Sequence, residues 1–223
     1  MARLPNVNRD ELKPEDQQYF DEIVGSRGSV RGPYGILLHS PQLAARVAHT
    51  GTFVRFEFDV PEALKELVII TTAREVTSQY EFSAHARLAR EAGVSEETIQ
   101  AVAKGTAPQG LSGDEEILVR YTKELVGNHK ISDATFNAVK DRFGVQDTVN
   151  FTGLIGHYLL VGQILLAFDV ELAPGMTAEI PVFAARMTGR PSSTARIRAE
   201  ARCCSGPMLV PNQASFVALK IQS

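Results

Sequence analysis

Through most of the first 174 positions apolar residues recur at three- and four-residue spacing, and no stretch there sustains the alternation of a half-buried strand. The pattern predicts an all-α fold. Residues 14–24 (PEDQQYFDEIV) predict a short helix with Pro14 in its first turn and Tyr19, Phe20, Ile23 and Val24 as apolar contacts. Residues 25–35 (GSRGSVRGPYG) hold four glycines and a proline and predict a loop, read as a solvated linker. Arg27 and Arg31 would face a ligand only in the alternative reading of that loop. PQLAARVAHTGTFVRF, from Pro41, predicts a helix lined on one side by Leu43, Val47, Phe53 and Val54.

Residues 62–93 (EALKELVIITTAREVTSQYEFSAHARLAREAG) predict two helices meeting near Thr77. Leu64, Leu67, Val68 and Thr71 stand at helical spacing in the first. Ser78 and Glu81 have capping-box spacing at the start of the second. Gly93 ends that helix, Ser95 opens one that runs to Gly105, and Pro108 and Gly110 mark a turn. A helix from Asp114 carries the stripe Ile117, Leu118, Tyr121 and Leu125. Another, over 133–143, turns Phe136 and Val139 inward and is closed by Gly144, and a long one follows over 145–167.

Composition narrows the function classes. The chain has 223 residues, 44% of them hydrophobic, and a net charge of −3, which gives no support for a nucleic-acid or membrane-surface partner. The uncharged stretch 149–168 is 20 residues long, enough to span a bilayer. Asn150, Thr152, His157 and Gln163 within it, and Asp147 and Asp169 at its flanks, favour a buried or interface helix instead. No apolar leader opens the chain, and Cys203 and Cys204 are adjacent, which suits neither a disulfide framework nor a zinc site; a reducing cytoplasm is expected. Charge also divides the chain. Residues 1–174 carry 17 Lys/Arg against 24 Asp/Glu, whereas 175–223 carry 6 against 2 and show no helical stripe.

The candidate chemistry lies in residues 62–93. Glu81 and His85 are four apart and share a helical face, and a break near Thr77 would bring Glu66 back towards them. A histidine is the natural proton carrier near neutral pH, and a carboxylate can fix its tautomer or raise its proton affinity. The bland alternative is a Glu81 that only caps its helix and a His85 that only bonds a carbonyl. The pattern Glu-x-x-x-His is not a metal-binding signature, so no metal is expected. His39, His49 and His129 are scattered. His157 either lines the same pocket or is a satisfied core histidine.

These residues resemble a known family. GPYGILLHSPQLA at 32–44, ELVIITTAREVTSQYEFSAHARLAREAGVSEETI at 66–99 and GLIGHYLL at 153–160 look like the carboxymuconolactone decarboxylase family, whose helical fold is shared with AhpD-type alkylhydroperoxidases. In the peroxidase branch the motif carries a glutamate, two cysteines three apart, and a histidine four residues on. The matching positions here are Glu66, Ser78, Glu81 and His85. With both cysteines replaced, the disulfide that peroxide reduction needs cannot form, which argues against a thiol peroxidase.

What the resemblance implies is an AhpD-like helical domain at 32–174; the helix and loop at 1–31 and the irregular basic extension at 175–223 are read from the sequence pattern beside it. It implies a cofactor-free lyase that decarboxylates a small carboxylated lactone or a related product of aromatic breakdown. His85 would be the general acid/base, Glu81 its orienting partner and Glu66 a second pocket carboxylate. Arg46 or Arg74 would pair with the substrate carboxylate, and His157 is a further substrate-binding candidate. The alternatives are another carbon-acid enzyme on the same scaffold, such as an isomerase, dehydratase or hydrolase, and a non-catalytic oligomeric helical protein. No cofactor, nucleic acid or membrane partner is expected. Relatives form trimers or hexamers, and the seam expected here is the helix over 145–167, with Gly153, Gly156 and Gly162 for close approach and Leu159, Leu160, Ile164 and Leu165 as filling.

Overall fold

A computed structural model describes residues 2–181. Among them there is no strand, and helices α1 (Gln17–Arg27), α2 (Pro33–Leu37), α3 (Pro41–Thr52), α4 (Glu62–Glu75), α5 (Gln79–Glu91), α6 (Glu96–Lys104), α7 (Gly113–Gly127) and α8 (Asp133–Ala167) follow one another. The all-α expectation holds. Cys203 and Cys204, and the basic extension beyond residue 181, lie outside the described residues.

Helix α4 is the axis. Every residue from Leu64 to Ala73 is buried, because α5, α6, α7 and α8 pack around it. A helix so enclosed needs no polar face, and its sequence (LKELVIITTA) has little beyond Lys65 and Glu66. Thr71 and Thr72 satisfy their hydroxyls within the helix, on the carbonyls of Leu67 (2.7 Å) and Val68 (2.8 Å). Leu67, Ile70 and Ala73 pack with Phe82, Ala86 and Ala89 of α5 and Ile99 and Val102 of α6. On the other side Leu64, Val68 and Ile69 join a larger core with α3, α7 and α8.

The elements end where local signals place them. Ser95 and Ser132 cap α6 and α8, Ser112 and Glu115 form a reciprocal capping box on α7, and Gly93 and Gly105 take positive φ after their helices. Gly144 (φ 81°, ψ 170°) breaks α8 where the sequence placed a stop.

Two local expectations are corrected. Residues 25–35 are not a continuous loop: α1 runs through Gly25 to Arg27 and ends at Gly28 (φ 73°), and α2 begins at Pro33. Packing of α1 against α3 carries the helix past Gly25, and Arg27 anchors its end on the Ala48 carbonyl at 2.9 Å. The Ser78–Glu81 capping box does not form either. The Ser78 hydroxyl makes no cap bond and lies buried without a hydrogen-bond partner, while Glu81 turns to His85.

The expected seam on α8 is divided between two faces. Leu165 is buried, and a side chain at Gly162 would touch Val76 and Ser78, so both serve the chain's own core. Leu160, Val145 and Val149 are exposed, as are Phe53 and Phe56 after α3. By length and composition alone α8 could cross a membrane, but Phe151, Leu154, Ile155, Tyr158 and Val161 lie in the core. Past Pro174 the chain returns over α5, where Ile180 is buried and Arg90 pairs with Glu179 at 2.6 Å.

Candidate active site

Glu66 stands midway along α4, facing α5 across the break at 76–78. Its Oε2 accepts from Nδ1 of His85 at 2.6 Å, and neither residue is more than 5% exposed. The other ring nitrogen, Nε2, lies 3.4 Å from Oε2 of Glu81. The two carboxylates therefore bracket one imidazole. The sequence assigned the orienting role to Glu81, but the short bond comes from Glu66, which the turn at Thr77 (φ 55°) brings alongside α5. Burial works to lower the proton affinity of His85; the charge and hydrogen bond of Glu66, helped by Glu81, outweigh it and raise its pKa.

A cavity of about 200 Å³ opens on this bracket. Glu81 and His85 line it, and Glu66 lies behind them. The remaining walls include Tyr34 of α2, Tyr80 and Ala84 of α5, His157, Tyr158 and Val161 of α8, and the arginines Arg27, Arg31 and Arg55. Arg31 and Tyr80 also line a neighbouring surface cavity of about 590 Å³, formed with residues 2–6 and 170–174. Tyr158 presents its ring edge-on to both His85 (4.9 Å) and His157 (5.3 Å), and burial keeps its hydroxyl neutral by pushing its pKa far up.

Arg55 belongs to a single π-helical turn, Phe53–Glu57, that extends α3. Such turns are rare and commonly mark functional positions. The buried ammonium of Lys65 holds this one, donating to the carbonyls of Arg55 (2.8 Å) and Phe58 (3.3 Å) and pairing with Glu62 (2.8 Å). Nη2 of Arg55 is 3.5 Å from Oε1 of Glu66, a loose contact, and its Nε is buried with no hydrogen-bond partner.

His157 is only 8% exposed, and its pKa is pushed down to about 4 by burial first, then by Arg27, Arg55 and His85. It lines the cavity, the first of the two places the sequence left open for it. Arg46 and Arg74 are not brought to it. Arg46 is exposed and bonds the Gln42 carbonyl in its own helix, and Arg74 donates to the Ala103 carbonyl near the end of α6. Arg55, Tyr34 and Tyr158 were missed. The only signal was a charge inside the apolar run FVRFEF, and the inward turn of Arg55 depends on the π-helical register. Among the described residues no three His, Cys, Asp or Glu side chains are grouped to hold a metal ion.

In this chain, then, a glutamate of α4 is bonded to a histidine of α5 across a helical hairpin. A point variant of the debrominase Bmp8, bound to 2,3,4-tribromopyrrole, has the same fold at TM-score 0.63 and 12% identity, covering 78% of this chain and 93% of that one. A peroxidase-related protein with an alkylhydroperoxidase AhpD core, from Ralstonia eutropha JMP134, matches at TM-score 0.62 and 15% identity with the same two coverages. No functionally curated protein matches the chain in sequence. Residues 41–124 match the model of the carboxymuconolactone decarboxylase family, and the fold is similar to that of the AhpD-core protein.

Proposed function

We propose that the chain is a cofactor-free lyase that decarboxylates a small carboxylated lactone or a related aromatic-breakdown product. The observation that carries the reading is His85, bonded by buried Glu66 and facing a small cavity beside Glu81. In this reading Glu66 orients the imidazole and Glu81 is the second pocket carboxylate, the reverse of the roles expected from spacing.

Loss of carbon dioxide breaks one C–C bond and leaves its electron pair on the ring carbon. The pair spreads into the lactone carbonyl as a dienolate. His85, protonated on both nitrogens, gives the Nε2 proton to carbon and regains one from water, so each CO₂ released consumes one proton. Glu66 stabilises the imidazolium before transfer, and the neutral Tyr158 hydroxyl offers a donor to developing negative charge. Ser78 and Glu81, at the cysteine positions of the peroxidase motif, support acid–base over thiol chemistry. The debrominase neighbour, with its bound tribromopyrrole, is a reminder that the scaffold carries other chemistry on small rings.

Purified protein is expected to release CO₂ from carboxylated lactones, and His85→Ala to lower that rate by about a hundredfold or more. Absence of turnover on every such lactone sinks the lyase reading. An active His85→Ala variant removes His85 from the chemistry. A homo-oligomer, a trimer or hexamer, belongs to the same proposal; the exposed Leu160, Val145, Val149, Phe53 and Phe56 support it.

A further inference from the structure

Five charged side chains other than His85 surround the cavity or stand directly behind it. Arg27, Arg31 and Arg55 are cationic; Glu66 and Glu81 are anionic. Arg27 spends its guanidinium on uncharged acceptors: the Ala48 carbonyl at 2.9 Å, the Ser26 hydroxyl at 2.7 Å and the face of Tyr34 at 4.5 Å. Among the described residues neither Arg27 nor Arg31 has a carboxylate partner. Arg55 touches Glu66 only at 3.5 Å and leaves its Nε–H without an acceptor in a buried position. An unpaired donor on a desolvated cation is costly unless something fills it, and the cavity lies beside it. A net positive charge thus remains around the cavity, and protonation of His85 adds to it.

From this geometry we propose that Arg55, seconded by Arg27, is the site that recognises a carboxylate on a small substrate, and that Lys65 is the positioning residue that holds Arg55 there. The proposal rests on the cavity identified above as the reaction site and names the substrate chemistry it selects. Arginine suits the task because its planar fork meets a carboxylate with two parallel N–H donors. A single π-helical turn sets the direction of that fork, and Lys65 ties the turn at the carbonyls of Arg55 and Phe58, whose ring is buried against Phe151 at 4.9 Å. Gly51 serves the second arginine. A Cβ there would stand 2.7 Å from Nε2 of His157 and 2.8 Å from Nη2 of Arg27, so glycine lets both approach α3 without either having to shift. His157 stands on the same wall, its proton affinity lowered first by burial and then by Arg27 and Arg55.

The test is equilibrium binding of an unreactive pair: 2-furoate and its neutral isostere 2-furamide, titrated calorimetrically into the full chain. The wild type should hold the carboxylate about tenfold or more tighter than the amide. Arg55→Met should bring the two affinities to near parity, Arg55→Lys should recover part of the preference, and Lys65→Met should erode it without removing Arg55. Arg27→Met should weaken furoate binding to a lesser degree, and Arg46→Met, away from the cavity, should change nothing. Circular dichroism on each variant separates misfolding from lost recognition, and a carboxylate-to-amide ratio does not move with a merely structural loss. No preference in the wild type, no furoate binding at all, or a preference unchanged in folded Arg55→Met overturns the proposal. The probes do not react, so failure of the lyase reading leaves this result standing, and a lyase indifferent to Arg55 defeats this inference alone.

Discussion

The cavity has two walls, each built around a buried histidine, and the two histidines are driven in opposite directions. His85 faces Glu66 and Glu81 and binds its proton more tightly than a free imidazole. His157, with Arg27 and Arg55 nearby, releases its proton down to about pH 4. Both are nearly buried, so loss of solvation lowers the proton affinity of each. What separates them is the sign of the neighbouring charge. One wall stores a proton and the other repels it, an arrangement that puts a donor and a neutral ring across one small space.

The largest way to break this contrast is to remove the carboxylate behind His85. Glu66→Gln should lower the His85 pKa, read by NMR titration of the ring, and cost about 3 kcal/mol of folding stability in urea because a buried pair loses one member. An unchanged His85 titration would show that Glu81 alone sets it.

His157 supplies the next effect. Its folded pKa of about 4 lies below its ordinary 6.5, so the unfolded chain takes up this proton first as the pH falls. The stability held by the neutral ring is complete above pH 6.5 and drains away towards pH 4, by roughly 3 kcal/mol over the window. His157→Gln should flatten that part of the stability profile; a profile identical to wild type would deny the contrast its second half. The His85 contribution runs the other way. A raised folded pKa gives stability that is complete below pH 6.5 and lost as the pH rises through the folded value, so His85→Gln should flatten the alkaline side.

Two smaller effects lie away from the cavity. Leu160→Asp should split a wild-type oligomer in sedimentation, while changing the stability of the isolated subunit by no more than about 0.5 kcal/mol, since the residue is 40% exposed there. Replacing Cys203 and Cys204 by serine should leave catalysis intact. A loss with the fold preserved would bring thiol chemistry back.

Pairs with the same local spacing mark where legibility stopped. Ser112 and Glu115 form their capping box, each side chain bonding the other residue's backbone N–H. Ser78 and Glu81 have the same spacing and do not, because Glu81 has His85 within reach on its own helix and Ser78 is pressed against Gly162. Tertiary contact overrode a local rule at the candidate site, which is where such conflicts are expected. The same happened at Gly25, carried through by packing of α1 on α3, and at Arg55, whose π-helical register no periodicity announces.

Glycines, serine caps and apolar spacing are local, so the helices from α3 onward, the break at Thr77 and the stop at Gly144 were determined by sequence alone. So was the trio Glu66, Glu81 and His85, since four-residue spacing on one helix and a hairpin back to another are properties of the chain. Which carboxylate takes the short bond, and which arginines reach the cavity, were decided only in the folded molecule. Those depend on where α1, the π-helical turn and α8 converge in space, with Arg27, Arg55 and His157 brought together from positions far apart in the sequence. Charge acts through distance, and only the tertiary structure sets the distances.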